Sequence, residues 1–509
     1  LRMDAEFIHI DKWMQTIQTM ESDSIQKKLN NRDLTAIFAD IYKFDPELRI
    51  VIDSLKYKNL LSEDLAARVY FENDSIVKLE EFRIKYKNSE AYIKGELEAH
   101  KLLTLKPEES PFRFAISAEA SGNSKDLNEL LQTVNFNLRS GKFKFSGSYE
   151  GESKDLEILN SNARGDLSLG TTLIDVQGTE IQIPVDSLHL EIKNNLAQLK
   201  KLDVNLPGKS AIDITGEIDN FSNFINNEQK VDSHRSAFLI KSPYLDSKDV
   251  KKFIGNTERR KDSTKEQEFE IKNLKDILSN INRSYFPSAI LEIDSLKYEN
   301  LAVSDFFSKI GFNEMGAINI ADTKLKYSGG SINLMLEADI ENPEELPGSI
   351  KMDIKDIDLG KLVKDLDYFK SEDLRQAKKI SGNLNLQIDL NGKFNAQDSL
   401  DMNSLNGTIN LDLANLALYD FEPIIENVVL LREERFEQIQ FRPISQTFKV
   451  INGKISIPRT QVQSSALQLF VEGETKIGEY YNIWISLPWN NILKRRDGLE
   501  LPEKISFDE

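Results

Sequence analysis

Nine residues, Ile52-Asp-Ser-Leu-Lys-Tyr-Lys-Asn-Leu60, return as Ile293-Asp-Ser-Leu-Lys-Tyr-Glu-Asn-Leu301, identical at eight of nine positions and 241 residues further on. Their surroundings return as well. Ile10-Asp11 opens a helix pattern with Trp13, Ile17 and Met20 on one face, ahead of the first copy. Leu245-Asp246 opens another ahead of the second copy, with Val250, Phe253 and Ile254 as its apolar face. A repeat of this length constrains architecture more than any single motif, because each copy must satisfy the same packing. The sequence therefore reads as two β-rich halves, 1–240 and 241–509, related by an internal duplication of roughly 240 residues.

Inside the halves, apolar residues recur at every second position, the period of a strand with one oily face. Strands are expected over Leu48–Tyr57, Ala66–Phe71, Phe82–Tyr86 and Ala91–Ala99. Four segments share one design of strand, short polar turn and longer strand. They begin at Leu79, Leu199, Ile320 and Ile455, and three of them carry a Gly-Glu pair near the end, at Gly95, Gly216 and Gly473. Asn452-Gly453 sits between two alternating runs, a hairpin signal because both residues tolerate positive φ.

Helical spacing is confined to short pieces. Leu127, Leu130 and Leu131 share a face within Lys125–Val134. Asp358 caps a piece with Leu359, Leu362, Val363 and Leu366 inward. Phe421, Ile424, Ile425, Val428 and Leu431 form a third stripe, with Asp420 as its cap. The polar stretch Gly255–Glu270 reads as a loop or a solvated helix extension.

Composition removes several functions. With 83 acidic and 65 basic side chains, a net charge of −18, the chain is ill suited to wrapping a nucleic-acid backbone. It contains no cysteine, which excludes disulfides and thiolate metal sites. No run of about 18 apolar residues is present to form a membrane-spanning helix. There is no phosphate loop, nucleophile elbow or zinc-protease helix. His9, His100, His189 and His234 lie far apart, without metal-ligand spacing. Asp353-Ile-Lys-Asp356-Ile-Asp358-Leu-Gly360 has calcium-loop flavour but lacks the required alternation and late Glu, so it reads as a strand end followed by a helix cap. Lys494-Arg495-Arg496 reads as a solvated tail segment or a headgroup contact. Neither an enzyme nor a cofactor or metal site is expected.

The strand Leu405-NGTINLDLANLAL, the helix Phe421-EPIIENVVLLREERF, the phrase Gln446-TFKVINGKISIPRTQVQSSALQLFVEGE and the closing Ile485-SLPWNNIL resemble the C-terminal region of AsmA-like envelope proteins, over about 382–493. That resemblance implies a periplasmic β-rich body, tethered to the inner membrane by a segment upstream of Leu1, and a role in outer-membrane biogenesis with lipids carried along a hydrophobic groove.

Alternation alone gives one candidate apolar face: Phe82, Ile84, Ile93 and Leu97; Ile212, Ile214 and Ile218; Ile332, Leu334 and Leu336; Leu384, Leu386 and Ile388; Ile409, Leu411 and Leu413; Leu467, Leu469 and Val471; Ile483 and Ile485. Such a face must be covered, either by a second sheet in a closed core or by acyl chains in a trough. Period two does not separate these outcomes. With the resemblance, the expected fold is mainly β with a few short α-helices: an elongated, curled antiparallel sheet of repeated hairpin units forming an apolar groove. The expected partners are lipids through their acyl chains, the inner membrane through the upstream anchor, and other envelope proteins, with no nucleic acid. The expected function is lipid movement between inner and outer membranes. The alternative is a non-enzymatic assembly factor for outer-membrane proteins that offers strand edges.

Overall fold

The computed structural model describes residues 2–9, 12, 46–57, 60–72, 76–99, 112–131, 136–154, 157–176, 182–194, 196–206, 208–219, 236–255, 288–312, 317–339, 346–370, 375, 379–394, 400–419, 438–476 and 480–488. By compactness the chain divides into two units. One is Leu1–Lys230 with Lys251–Lys261; the other is Val231–Val250 with Asp262–Glu509. The described residues are overwhelmingly strand, as the alternation requires.

In the first unit the strands are β1 (Arg2–His9), β2 (Glu47–Tyr57), β3 (Leu60–Glu72), β4 (Ile76–Tyr86), β5 (Ser89–Ala99) and β6 (Phe112–Asn123). There follow helix α1 (Ser124–Leu131), β7 (Phe136–Leu138), β8 (Lys142–Lys154), β9 (Glu157–Leu169), β10 (Thr172–Val176), β11 (Gln182–Lys193), β12 (Leu196–Asn205) and β13 (Ala211–Ile218). Strands β2 to β6 form an antiparallel meander, which continues through β8, β9, β11 and β12 to β13. The short β7 and β10 pair beside the first half of β11.

The second unit begins with β14 (Ser236–Ser242), β15 (Leu245–Asp246) and helix α2 (Ser247–Gly255). It continues with β16 (Ser288–Tyr298), β17 (Leu301–Phe312), β18 (Ala317–Tyr327), β19 (Gly330–Asp339) and β20 (Leu346–Asp358). After helix α3 (Leu359–Asp365) and a 3-10 turn (Asp367–Lys370) come β21 (Lys379–Phe394), β22 (Leu400–Tyr419), β23 (Gln438–Gln440), β24 (Ile444–Ile451), β25 (Lys454–Gln463), β26 (Gln468–Lys476) and β27 (Tyr480–Ser486). From β16 to β27 each strand pairs antiparallel with the next, except that β22 pairs with both β23 and β24.

The strands belong to one mixed sheet, antiparallel as expected except at one place in each unit. β1 pairs parallel with β2, and β14 and β15 pair parallel with β16. Parallel neighbours need a long crossover, and long stretches of chain do separate these strands.

Strands β2 to β5 and β16 to β19 correspond one for one. Each of the latter starts 241 residues after its counterpart, and β2 and β16 have the same length and the same sequence of exposed and buried positions. The correspondence extends to backbone strain. Asp64 (φ 50°) and Asp305 (φ 52°) each occupy a bulge, and each is paired with a lysine, Lys85 at 2.7 Å and Lys326 at 2.8 Å. Asp322 and Asp356, at φ 51° and 55°, sit in two further bulges. A bulge inserts one extra residue. Asp is among the few residues that tolerate the left-handed conformation this takes. The insertion lets Ile354 and Ile357, three positions apart, pair with Leu386 and Leu384, two apart, so both stay on the oily face.

Four hairpin units close as expected: β4–β5, β12–β13, β18–β19 and β25–β26. Asn452 and Gly453 both have positive φ, 51° and 74°, and Ile451 pairs with Lys454 across the turn. Helices α1, α2 and α3 lie where short helical patterns were read. Asp246 accepts a hydrogen bond from the Lys248 amide at 2.8 Å, and Asp358 accepts one from the Lys361 amide at 2.9 Å. The helix patterns beginning at Asp11 and Asp420, the stretch 256–270 and the basic triplet fall outside the described residues.

Candidate functional site

Registers settle which side chains share a face, because directly paired residues in a ladder point the same way. In the first unit one row runs Ile50, Ala67, Phe82, Ile93, Ala118, Gly147, Gly165, Ile192, Ala197, Ile218. The next runs Ile84, Ala91, Ala120, Phe145, Leu167, Leu190, Leu199, Gly216. A third joins Gly122, Phe143, Leu169, Leu188, Leu202 and Ile214. Leu97 pairs with Phe114 and Ile212 with Val204, on the same side. Every member of these three rows is apolar or glycine. The opposite face holds Glu90, Lys94, Glu119, Lys144, Asp166 and His189.

The second unit repeats the arrangement. One row runs Ile320, Leu336, Ile350, Leu390, Gly407, Val450, Ile455. Its neighbours are Leu334, Met352, Ile388, Ile409, Phe448 and Leu325, Ile332, Ile354, Leu386, Leu411. Ile357, Leu384, Leu413 and Ile444 form a fourth. Towards the end, Leu469 pairs with Val462, Val471 with Ile485, and Ile483 with Gly473. Leu467, just ahead of β26, packs with Ile439, Leu418 and Leu469. Thus the candidate residues in each unit gather on one face. Sequence reading missed the glycines and alanines that complete the rows. Their small side chains carry little hydrophobic signal, although their alternation with charged residues is visible.

What covers this face decides what it can do. The hydrophobic clusters consist of neighbouring strands of the same sheet, supplemented by Leu127 of α1 or by Leu359 and Leu362 of α3. Among the described residues, none draws on a second sheet. Fully buried positions are few, such as Ile357 at 1% and Val450 at 1% exposure, and most of the rows are half-buried. Ile116 and Tyr149, paired on the oily side, remain 44% and 36% exposed.

The helices close one margin. α3 lies against Tyr327, Ile357 and Leu384, and the Tyr327 hydroxyl donates to Asp365 at 2.8 Å. Burial, then that hydrogen bond to a carboxylate, push the Tyr327 hydroxyl far above its ordinary pKa, so it stays a donor. In the first unit, Ser89 donates to Asp126 of α1 at 2.7 Å.

The polar face carries surface ion pairs such as Arg113–Glu152 at 2.8 Å and Lys241–Glu292 at 2.8 Å. Pairs this exposed add solubility more than stability. His189 Nε2 lies 2.6 Å from Asp166 on this face, and His9 accepts from the Lys12 amide at 3.5 Å; His100 and His234 lie outside the described residues. No group of three or more His, Asp or Glu that could hold a metal exists among the described residues. None of their helices is long and apolar enough to cross a membrane.

Comparison with family models finds the AsmA family over residues 235–460, which span β14 to most of β25. Comparison with curated proteins and with solved structures yields no match.

Proposed function

From an AsmA-like chain, whose family points to a role in the cell envelope, we propose that the apolar faces are lipid-bearing surfaces and that the protein moves phospholipid or another lipid between the inner and outer membranes. The observation that supports this is the set of apolar rows running over many neighbouring strands in each unit, broken in the second by Thr323, Gln446 and Thr460, half-exposed and without a second sheet over them among the described residues. Acyl chains lie along the rows and gain about 0.8 kcal/mol per methylene removed from water. Headgroups stay at the margin, in water. The mechanism is passive and non-enzymatic, requiring no nucleotide, metal or covalent step from this chain. Its setting is the periplasm, with a tether upstream of Leu1.

The test is extraction of the purified chain followed by lipid mass spectrometry and exchange with labelled phospholipid. Stoichiometric, exchangeable phospholipid supports the reading; lipid-free protein that takes up none sinks it. A second reading has its own observation: β27 pairs only with β26, and β1 only with β2, among the described residues. An assembly factor would offer those edges to partner strands. In-cell crosslinking separates the two, with lipid adducts on the oily faces supporting transport and protein adducts at the edges supporting assembly.

A further inference from the structure

Through most of each unit one face of the sheet is oily and the other charged. The last described strand breaks that rule. Ile483 and Ile485 lie on the apolar side and are 47% and 64% exposed, while Trp484, paired with Glu472 on the charged side, is 59% exposed. Leu487, directly after the strand, is 50% exposed. Water therefore meets large apolar groups on both faces of one strand, at the end of the sheet. Elsewhere the polar face shows such groups singly, as with Met335, and scattered exposed residues need no explanation.

We propose that β27 is a membrane-docking tip, whose partner is the interfacial layer of a phospholipid bilayer. A strand added at the β27 edge would satisfy its backbone but leave both faces as exposed as before. A bilayer interface surrounds the strand and covers both. Among the described residues β27 has no strand beyond it, which also limits depth, because unpaired backbone groups do not enter the hydrocarbon region. β27 thus rests at headgroup level, where indole is favoured. Arg459, 57% exposed and paired with Glu472 at 3.2 Å, lines the same hollow as Trp484 and brings a guanidinium to that level. The apolar side of β27 continues the rows of β25 and β26, so a lipid carried on that face would meet the bilayer at this strand. That last step rests on the lipid-bearing reading, whereas docking itself does not.

The chain has three tryptophans, Trp13, Trp484 and Trp489. In a Trp13→Phe, Trp489→Phe background, Trp484 fluorescence is recorded while vesicles of phosphatidylglycerol and phosphatidylethanolamine are added. A blue shift, with quenching by lipids brominated near the headgroup, is expected. The double variant Trp484→Ser, Ile485→Ser should bind vesicles roughly tenfold more weakly, and Met335→Ser should bind like the parent. Circular dichroism of each variant checks folding. Unshifted Trp484 emission, or undiminished binding by a folded double variant, overturns the proposal. Lipid content of vesicle-free protein is measured in parallel, so loss of docking with normal lipid loading contradicts only the tip, and the converse only the carrying face.

Discussion

Replacing Ile116 by aspartate separates a lipid-bearing face from an ordinary protein core. Ile116 lies between Gly95 and Tyr149, and its Cγ1 would stand 3.4 Å from a Cβ placed on Gly95. It is 44% exposed in the lipid-free chain. Full burial of such a side chain is worth roughly 1.5–3 kcal/mol, so half-burial puts the folding cost of its loss near 1 kcal/mol. In a unit of this size that lowers the melting temperature by about 2–4 °C. The effect on lipid is larger. An acyl chain crossing this point lays about three methylenes against the side chain, at ~0.8 kcal/mol each. Losing them weakens retention by roughly fiftyfold, before any cost of desolvating the carboxylate. That desolvation raises the new aspartate's pKa when lipid is bound, so binding should recover as pH falls towards 4. The assay is phospholipid occupancy by native mass spectrometry, beside a thermal melt; Ser117→Asp, one residue along on the polar face, is the control. A collapse of folding would show that Ile116 belongs to a closed core. A stable variant with unchanged occupancy would refute the reasoning.

Three further outcomes follow from the geometry. Tyr327→Phe removes the hydrogen bond to Asp365 and should cost about 1.5 kcal/mol, with faster amide exchange confined to α3. Gly453→Ala places a Cβ 2.0 Å from the Met402 carbonyl at a backbone φ of 74°, and should lower stability by more than about 1 kcal/mol in a denaturant melt. Burial first, and the hydrogen-bonded carboxylate of Asp203 second, raise the Asp213 pKa. A carboxyl raised on folding stabilises the protonated form, so this group's contribution worsens as pH rises through its folded pKa. Asp213→Asn should therefore raise the melting temperature slightly at pH 7 and leave it unchanged at pH 3.

Much of this architecture was legible in residue order, for identifiable reasons. Runs such as Leu384, Leu386, Ile388 reveal a strand and its inward side because the pleat alternates strictly. Asn452-Gly453 announces its hairpin because few other pairs take two positive φ values. The repeat at Ile52 and Ile293 was visible as identity, and the corresponding bulges at Asp64 and Asp305 add backbone geometry that identity does not reveal. Other features left no such trace. An aspartate at φ 55°, such as Asp356, looks like any surface aspartate in sequence, yet it keeps Ile357 on the oily side. Parallel pairing of β1 with β2 is set by a distant crossover rather than by local pattern. The rows through Ala118, Gly147 and Gly165 emerge only once the registers are known, since these residues give a weak hydrophobic signal alone. Trp484 was passed over because a single apolar residue at a polar position is unremarkable until both faces of its strand are seen exposed.

Central to the account is that lipid lies on one side of the sheet in each unit. Photocrosslinking residues placed one at a time at Tyr92, Ile93, Lys94 and Gly95, and at Gln387, Ile388, Asp389 and Leu390, measure this directly in living cells. The account predicts phospholipid adducts with a period of two, at 93, 95, 388 and 390 and not between them. Adducts at every position, or at none, would contradict it.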